Sequence, residues 1–268
     1  MEHIYTYRDD SIYCHHTIDK VPEPEDFPIH AHESLEIFYF ISGCGSYLVE
    51  GTCYSLHPGD IMIMRQAETH KLMISPDEPY ERIAIHFPPE LVSRFDEKLL
   101  SPFMNRPLGY GNLYSFAQYP GLNKAFENFD FSGAAQQRAH IAARLMLFLA
   151  GLNDVYDAQG RTGPAESFPS RLVSYVNEHL FEDISVQSIS QHFMKSSSQI
   201  SRDFRRSTGS SLWEYVVLKR LLAAQALMQR GEAASKVCVE CGFGDYSAFY
   251  RAYRARFGHA PSLEPIRR

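Results

Sequence analysis

One eight-residue pattern occurs twice in the C-terminal third of this chain, 49 residues apart. Arg202-Asp203-Phe204-Arg205-Arg206-Ser207-Thr208-Gly209 returns as Arg251-Ala252-Tyr253-Arg254-Ala255-Arg256-Phe257-Gly258. Ile200 and Phe249 stand two residues before the first arginine of each copy. The i, i+4 pairs Ile200/Phe204 and Phe249/Tyr253 place an apolar stripe on one helix face. The arginines then fall on the other faces, toward solvent or a partner. Ser196 and Asp245 stand where N-caps belong, and Gly209 and Gly258 where C-terminal stops belong. Shorter helices are expected upstream of each copy, at about 186–193 and 233–241, with small Ser190 and Cys238 where a crossing helix needs room. Short helix, turn and basic helix, repeated, suggests two helix-turn-helix units. Between them Ser211-Leu212-Trp213-Glu214 is a capping box opening a long helix to about Arg230. Its eighteen or so residues span roughly 27 Å, a rigid spacer suited to reading helices about one DNA turn, ~34 Å, apart.

Charge separates this reading from that of an ordinary helical bundle. Residues 168–268 hold 14 Lys+Arg against 9 Asp+Glu, whereas residues 1–167 hold 12 against 23. The net charge of −6 therefore conceals a basic module joined to an acidic one. The basic module is the part suited to a polyanion.

The same residues carry a resemblance. Tyr175 through Leu180, Ile184 through Ser190, Gly209, Leu221, Ala224, Cys241-Gly242-Phe243, Ser247, Phe249-Tyr250-Arg251 and Ala260-Pro261-Ser262 run in an order similar to the DNA-binding domain of AraC/XylS-type transcription regulators. The resemblance implies promoter DNA as partner, RNA polymerase as a second partner, and activation, the family's commoner habit. It also implies base-facing positions at Ser198, Ser201 and Arg202 in the first unit and at Tyr246, Ser247, Tyr250 and Arg251 in the second. Arg205, Arg206 and Arg254 are expected on phosphates. Leu263-Glu264-Pro265 departs from the family's pattern and predicts a short final helix.

Upstream, segments at 36–40, 46–49, 61–64 and 82–87 alternate between Gly- and Pro-bearing turns, as in a small barrel or jelly roll. His30-x-His32-x3-Glu36-x6-Gly43, followed by Pro58-Gly59-Asp60 and His70, resembles the two cupin motifs. His30, His32 and Glu36 share strand parity, and His70 completes three imidazoles and a carboxylate, a donor set that suits Zn, Fe, Mn or Ni. The alternative is a metal-free pocket lined by His30, His32, Glu36, His70, Arg82 and His86 for a small polar effector such as a sugar. A helix is expected at 90–100 and a longer one at 134–152. The longer helix carries one apolar row at Ile141, Leu145, Phe148 and Leu152 and a second at Ala142, Met146 and Leu149. A double stripe fits either homodimerisation or full burial.

The expected architecture is α+β in two domains: a cupin-like sensing and dimerisation domain at 1–157, a linker at 158–167, and an all-α DNA-binding domain at 168–268. The helix-turn-helix units fall at about 184–209 and 233–258. No secretory signal is expected, and the apolar run 145–150 is too short to cross a membrane. Cys14, Cys44, Cys53, Cys238 and Cys241 form no zinc pattern, and Cys238-x-x-Cys241 reads as core, in keeping with a reducing cytoplasm. No phosphate loop or nucleophile elbow appears, so no catalysis is expected. Two rivals use the same residues: a cupin metalloenzyme fused to a DNA-binding tail, and a DNA-binding protein whose barrel only dimerises.

Overall fold

The structure, a computed structural model, describes residues 2–159 and 167–265; the linker expected at 158–167 lies mostly outside the described residues. The strands are β1 (Glu2–Arg8), β2 (Tyr13–Asp19), β3 (Leu35–Ser42), β4 (Gly45–Val49), β5 (Thr52–Leu56), β6 (Ile61–Met64), β7 (His70–Ile74), β8 (Tyr80–Phe87) and β9 (Leu113–Tyr114). They form a six-stranded sheet in the order β1-β2-β8-β3-β6-β9 and a three-stranded sheet in the order β5-β4-β7.

The larger sheet is covered on both faces, which explains why β3 and β6 read as continuous apolar runs. Phe38, Phe40, Met62 and Met64 turn inward and meet Tyr47, Val49, Leu72 and Ile74 of the smaller sheet. Leu35, Ile37, Ile61, Ile63, Ile83 and Ile85 turn outward onto a second core. The helices α1 (Pro89–Ser93), α2 (Ser101–Met104) and α3 (Gln137–Gln159) help close that core.

Two helix expectations are corrected here. The stretch 90–100 is not one helix: α1 stops at Ser93, and the Asp96 carboxylate accepts from Lys98 N to start a separate 3-10 turn. The 134–152 helix begins three residues later and runs seven residues further. Both of its apolar rows lie against the same core, with Leu145 and Leu149 fully buried and Ala142 and Met146 partly so. Among the described residues of α3, the large apolar side chain left outward is Leu147, 71% exposed.

The helical part consists of α4 (Phe168–Glu178), α5 (Val186–Phe193), α6 (Ser197–Thr208), α7 (Leu212–Gln229), α8 (Ala234–Glu240) and α9 (Tyr246–Phe257). It has two small cores. One packs α4, α5 and α6 on the first half of α7; the other packs α8 and α9 on its second half. The capping box at Ser211/Glu214 is present, and Ser196 and Asp245 cap α6 and α9. Arg220 of α7 ties the units together, donating to the carbonyls of Leu180 (2.7 Å) and Glu182 (2.7 Å) on one side and Gly242 (2.5 Å) on the other. Cys238 and Cys241 are buried in the second core, where desolvation raises both thiols. The chain after α9 is a 3-10 turn, Pro261–Leu263, and Glu264 beyond it accepts from Gln225 (3.1 Å), Gln229 (2.9 Å) and the Tyr253 hydroxyl. The departure from the family pattern at Glu264 is thus a clasp back onto α7 and α9.

Candidate DNA-reading and effector sites

The repeat forms the two helices expected to read DNA. Ile200, Phe204, Phe249 and Tyr253 are all fully buried, which anchors α6 and α9 by the same face. The opposite faces are open. Ser198, Ser201, Arg202, Arg205 and Arg206 are exposed on α6; Tyr246, Ser247, Arg251 and Arg254 are exposed on α9, with Tyr250 half-buried. None of these five arginines makes an ion pair with a carboxylate among the described residues. They are exposed cations on helix surfaces, the condition for phosphate and base contacts. Asp245 fixes the start of α9 by accepting from Ser247 N (3.2 Å) and Ala248 N (2.7 Å).

The second site lies between the two sheets. His30, His32, Glu36 and His70 converge, with one ligand atom from each inside a span of 4.8 Å. Shared strand parity is not what brings them together. His30 and His32 do not lie on a regular strand; an isolated antiparallel bridge, His30 N to His70 O (3.0 Å) and His70 N to His30 O (2.9 Å), draws the segment in. The bridge sets His30 beside His70, and the bend at 33–34 leads from His32 into β3, which carries Glu36.

The imidazoles are oriented from behind. Nδ1 of His30 lies 3.0 Å from Pro28 O, that of His32 2.9 Å from Ser34 O, and that of His70 2.8 Å from Glu68 O. A carbonyl only accepts, so each Nδ1 carries its hydrogen and each ring turns its Nε2 to the centre. There, His32 Nε2 is 2.8 Å and His70 Nε2 3.3 Å from Glu36 Oε2, and the Nε2 atoms of His30 and His70 are 3.0 Å apart. Lone pairs and a carboxylate gathered this closely require a cation among them, either a proton or a metal. Burial alone would raise the Glu36 carboxyl, but His86, His32 and His70 hold it well below the usual carboxylate range. Burial alone would lower His70, but the bond to Glu36 raises it. At His30 burial, with His70 beside it, outweighs the pull of Glu36 and pushes the ring down to about 4. The set fits a divalent metal in donor type, number and rear support.

The remaining expected residues share this inner wall at different depths. His86 pairs with Glu36 across β3 and β8, and its ring stands 4.9 Å from that of His32. Arg82 pairs with Phe40 further along and lies over the rings of Phe27 and Tyr80. It belongs to the wall and not to the His/Glu cluster. Sequence reasoning missed β2, whose Tyr13, His15 and Thr17 pair with His86, Ala84 and Arg82. His15 Nδ1 and Thr17 Oγ1 are buried without a hydrogen-bond partner among the described residues. The alternation Tyr13-x-His15-x-Thr17 was the available signal, but its polarity resembles a solvent face.

The model of the AraC-like ligand binding domain matches residues 22–159, and that of a helix-turn-helix domain matches residues 189–263. The chain belongs to the AraC family of transcription regulators, with a ligand-binding N-terminal domain and a DNA-binding C-terminal domain; it is a regulator and not an enzyme. It is 22% identical over 244 residues to the HTH-type transcriptional activator RhaS of Escherichia fergusonii, covering 88% of this chain and 86% of that protein. It is 34% identical over 90 residues to the probable transcriptional regulator LumQ of Photobacterium leiognathi, covering 33% and 36%. Among solved structures, ToxT of Vibrio cholerae aligns over 94% of this chain and 97% of its own at 14% identity and a TM-score of 0.41. The DNA-binding domain of AdpA in complex with a target DNA aligns over 35% of this chain and 85% of its own at 28% identity and a TM-score of 0.33.

Proposed function

We propose that this chain is a cytoplasmic transcription activator in which residues 168–268 read promoter DNA through α6 and α9 and residues 1–157 sense a small polar effector. The observation that carries the DNA-reading roles is the pair of capped helices buried by one face, with Arg202 and Arg251 at the same position of each exposed face. Ser198, Ser201, Tyr246, Ser247 and Tyr250 complete the base-facing set, and Arg205, Arg206 and Arg254 serve phosphates. RNA polymerase is the partner an activator requires, and the RhaS relatives carry the name activator. Selection of binding sites from random duplexes tests this: wild type should enrich a two-part site, and Arg202→Ala and Arg251→Ala should each relax a different part.

The effector is held at His30, His32, Glu36 and His70, with His86 and Arg82 along the same wall. A hydroxylated molecule such as a sugar suits the fixed donors and acceptors of this wall. A second reading is favoured by the three rear-supported Nδ1 groups: His30, His32, Glu36 and His70 would hold a divalent metal, which would supply Lewis-acid chemistry toward an oxygen of the effector. Metal analysis of purified protein separates the two. Glu36→Gln and His32→Ala should abolish the effector response of a reporter and leave DNA binding intact.

The chain pairs as a homodimer through α3. The face available for this is the exposed Leu147 beside a groove of about 220 Å³ lined by Gly121, Ala125 and Gly151. Leu147→Glu should yield a folded monomer in sedimentation, whereas Leu145→Glu, at a core position, should unfold the domain.

A further inference from the structure

The 49-residue repeat runs on past its glycines, setting Phe204 on Tyr253 and Tyr215 on Glu264. In the first unit Phe204 packs edge-on against the Tyr215 ring, with centroids 5.3 Å apart. The Tyr215 hydroxyl then donates to the buried carboxylate of Glu50, in the turn joining β4 to β5, which also accepts from Lys219 Nζ (2.9 Å) and Asn177 Nδ2 of α4 (3.0 Å). In the second unit the phenol stands on the reading helix itself. The Tyr253 hydroxyl donates to Glu264, whose other oxygen accepts from Gln225 Nε2 (3.1 Å) and Gln229 Nε2 (2.9 Å) of α7. His259 Nε2 stands 3.3 Å from the oxygen that Tyr253 binds. Tyr253 is fully buried and the Glu264 side chain is 3% exposed. Burial would raise the Glu264 carboxyl, yet the bonds from Tyr253, Gln229 and Gln225 hold it below the usual carboxylate range. Burial and Glu264 together push Tyr253 up, so the phenol keeps its proton and donates.

We propose that Glu264 is a positioning residue for DNA reading: it fixes the roll of α9 about its own axis, and so the direction of Arg251, without touching DNA. Tyr253 stands two residues after Arg251, roughly 200° around the helix, so a bond on the buried side governs where the guanidinium points on the open side. The apolar contacts of Phe249 and Tyr253 hold α9 down, but such contacts are non-directional and let a helix roll. A buried hydrogen bond to a charged acceptor is directional and costly to leave unmade. A base contact tolerates only about 0.5 Å of error, so its geometry depends on the groups behind it. Glu264 takes its other bonds from Gln225 and Gln229, one turn apart on α7, and so refers α9 to the spacer helix that carries both units. At the matching place on α6, Phe204 offers no hydroxyl, and that helix is not held in this way. The proposal rests on the reading role given to Arg251 above.

The test uses the full chain, folded by circular dichroism, on the selected two-part site, on versions with either part scrambled, and on a random duplex. Glu264→Ala should lower the preference for the part relaxed by Arg251→Ala about 5-fold and leave the other part intact. Its affinity for the random duplex and the salt slope should stay unchanged, because the phosphate contacts remain. Tyr253→Phe removes one donor and keeps the ring; it should relax the same part by less, and it decides the matter where Glu264→Ala fails to fold. Glu264→Gln, whose amide can accept from the glutamines and donate to Tyr253, should retain most of the preference. Full preference in both the Glu264→Ala and Tyr253→Phe variants overturns the proposal. So does a random-duplex affinity and salt slope that fall together with the preference, since Glu264 would then only hold the fold. If Arg251→Ala itself relaxes neither part, the reading role of α9 fails, and the proposal with it.

Discussion

The two helix-turn-helix units carry one sequence pattern on two different supports. The first is buttressed by α4, whose Leu172, Val173 and Val176 fill its core, and is pinned to the sensor through Glu50. Among the described residues the second has no counterpart of α4 in its core and closes instead with the Glu264 clasp. Their reading faces differ as well: serines and Arg202 on α6, tyrosines and Arg251 on α9. A repeated motif therefore does not mean repeated behaviour. Each unit has its own small core and Arg220 joins them, but the first is held to the sensor through Glu50 and the second through the Arg256 bond to Ala31 O.

The strongest way to break this comparison is to remove an equivalent core ring from each unit. Phe204→Ala and Phe249→Ala should each cost about 3–5 kcal/mol. Hydrogen exchange should show loss of protection confined to the second unit for Phe249→Ala but extending to α4 and the sensor seam for Phe204→Ala. Equal, local losses in both would mean that the supports are equivalent.

Acid should separate the units next. Burial pushes His15 down to about 3, so it stays neutral in the fold while the unfolded chain takes up a proton below about 6.5. The unfolded state then binds more protons, and stability falls as pH drops from 6.5 toward 3, by at most about 1.4 kcal/mol per pH unit from this group. The sensor should weaken first and the pinned first unit should follow it. His15→Phe should flatten that slope in thermal melts; an unchanged slope places the sensitivity elsewhere.

Base-reading losses come after these. Arg202→Ala and Arg251→Ala should each cost about 1–3 kcal/mol, on different parts of the site. The smallest effect belongs to Arg254→Ala, which should weaken all sequences alike and reduce the salt slope by about one. A sequence-dependent loss at Arg254 would move it into the base-reading set.

What was legible in the sequence follows from the range of each signal. The two units could be read because their caps, their i, i+4 pairs and the box at Ser211/Glu214 act over three or four residues. β6 was bounded correctly, since Ile61 to Met64 lies between a Pro-Gly-Asp turn and polar residues. The His/Glu cluster was found by its spacing, although the bridge to His70 that assembles it could not be inferred from parity. β2 was missed because His15 and Thr17 are buried polar residues, which read as solvent-facing until β8 is laid beside them. Glu50 could not be found at all. Its donors from the helical part lie 127 to 169 residues away, and a Glu-Gly turn between strands ordinarily points to water.

The central claim, that one chain reads two grooves with two unequally supported helices, is tested most directly by hydroxyl-radical footprinting of the full chain on a selected site. The account predicts two protected patches on one DNA face, about 10 base pairs apart, with Arg202→Ala erasing one and Arg251→Ala the other. A single protected patch per chain, or one lost equally in both variants, would contradict it.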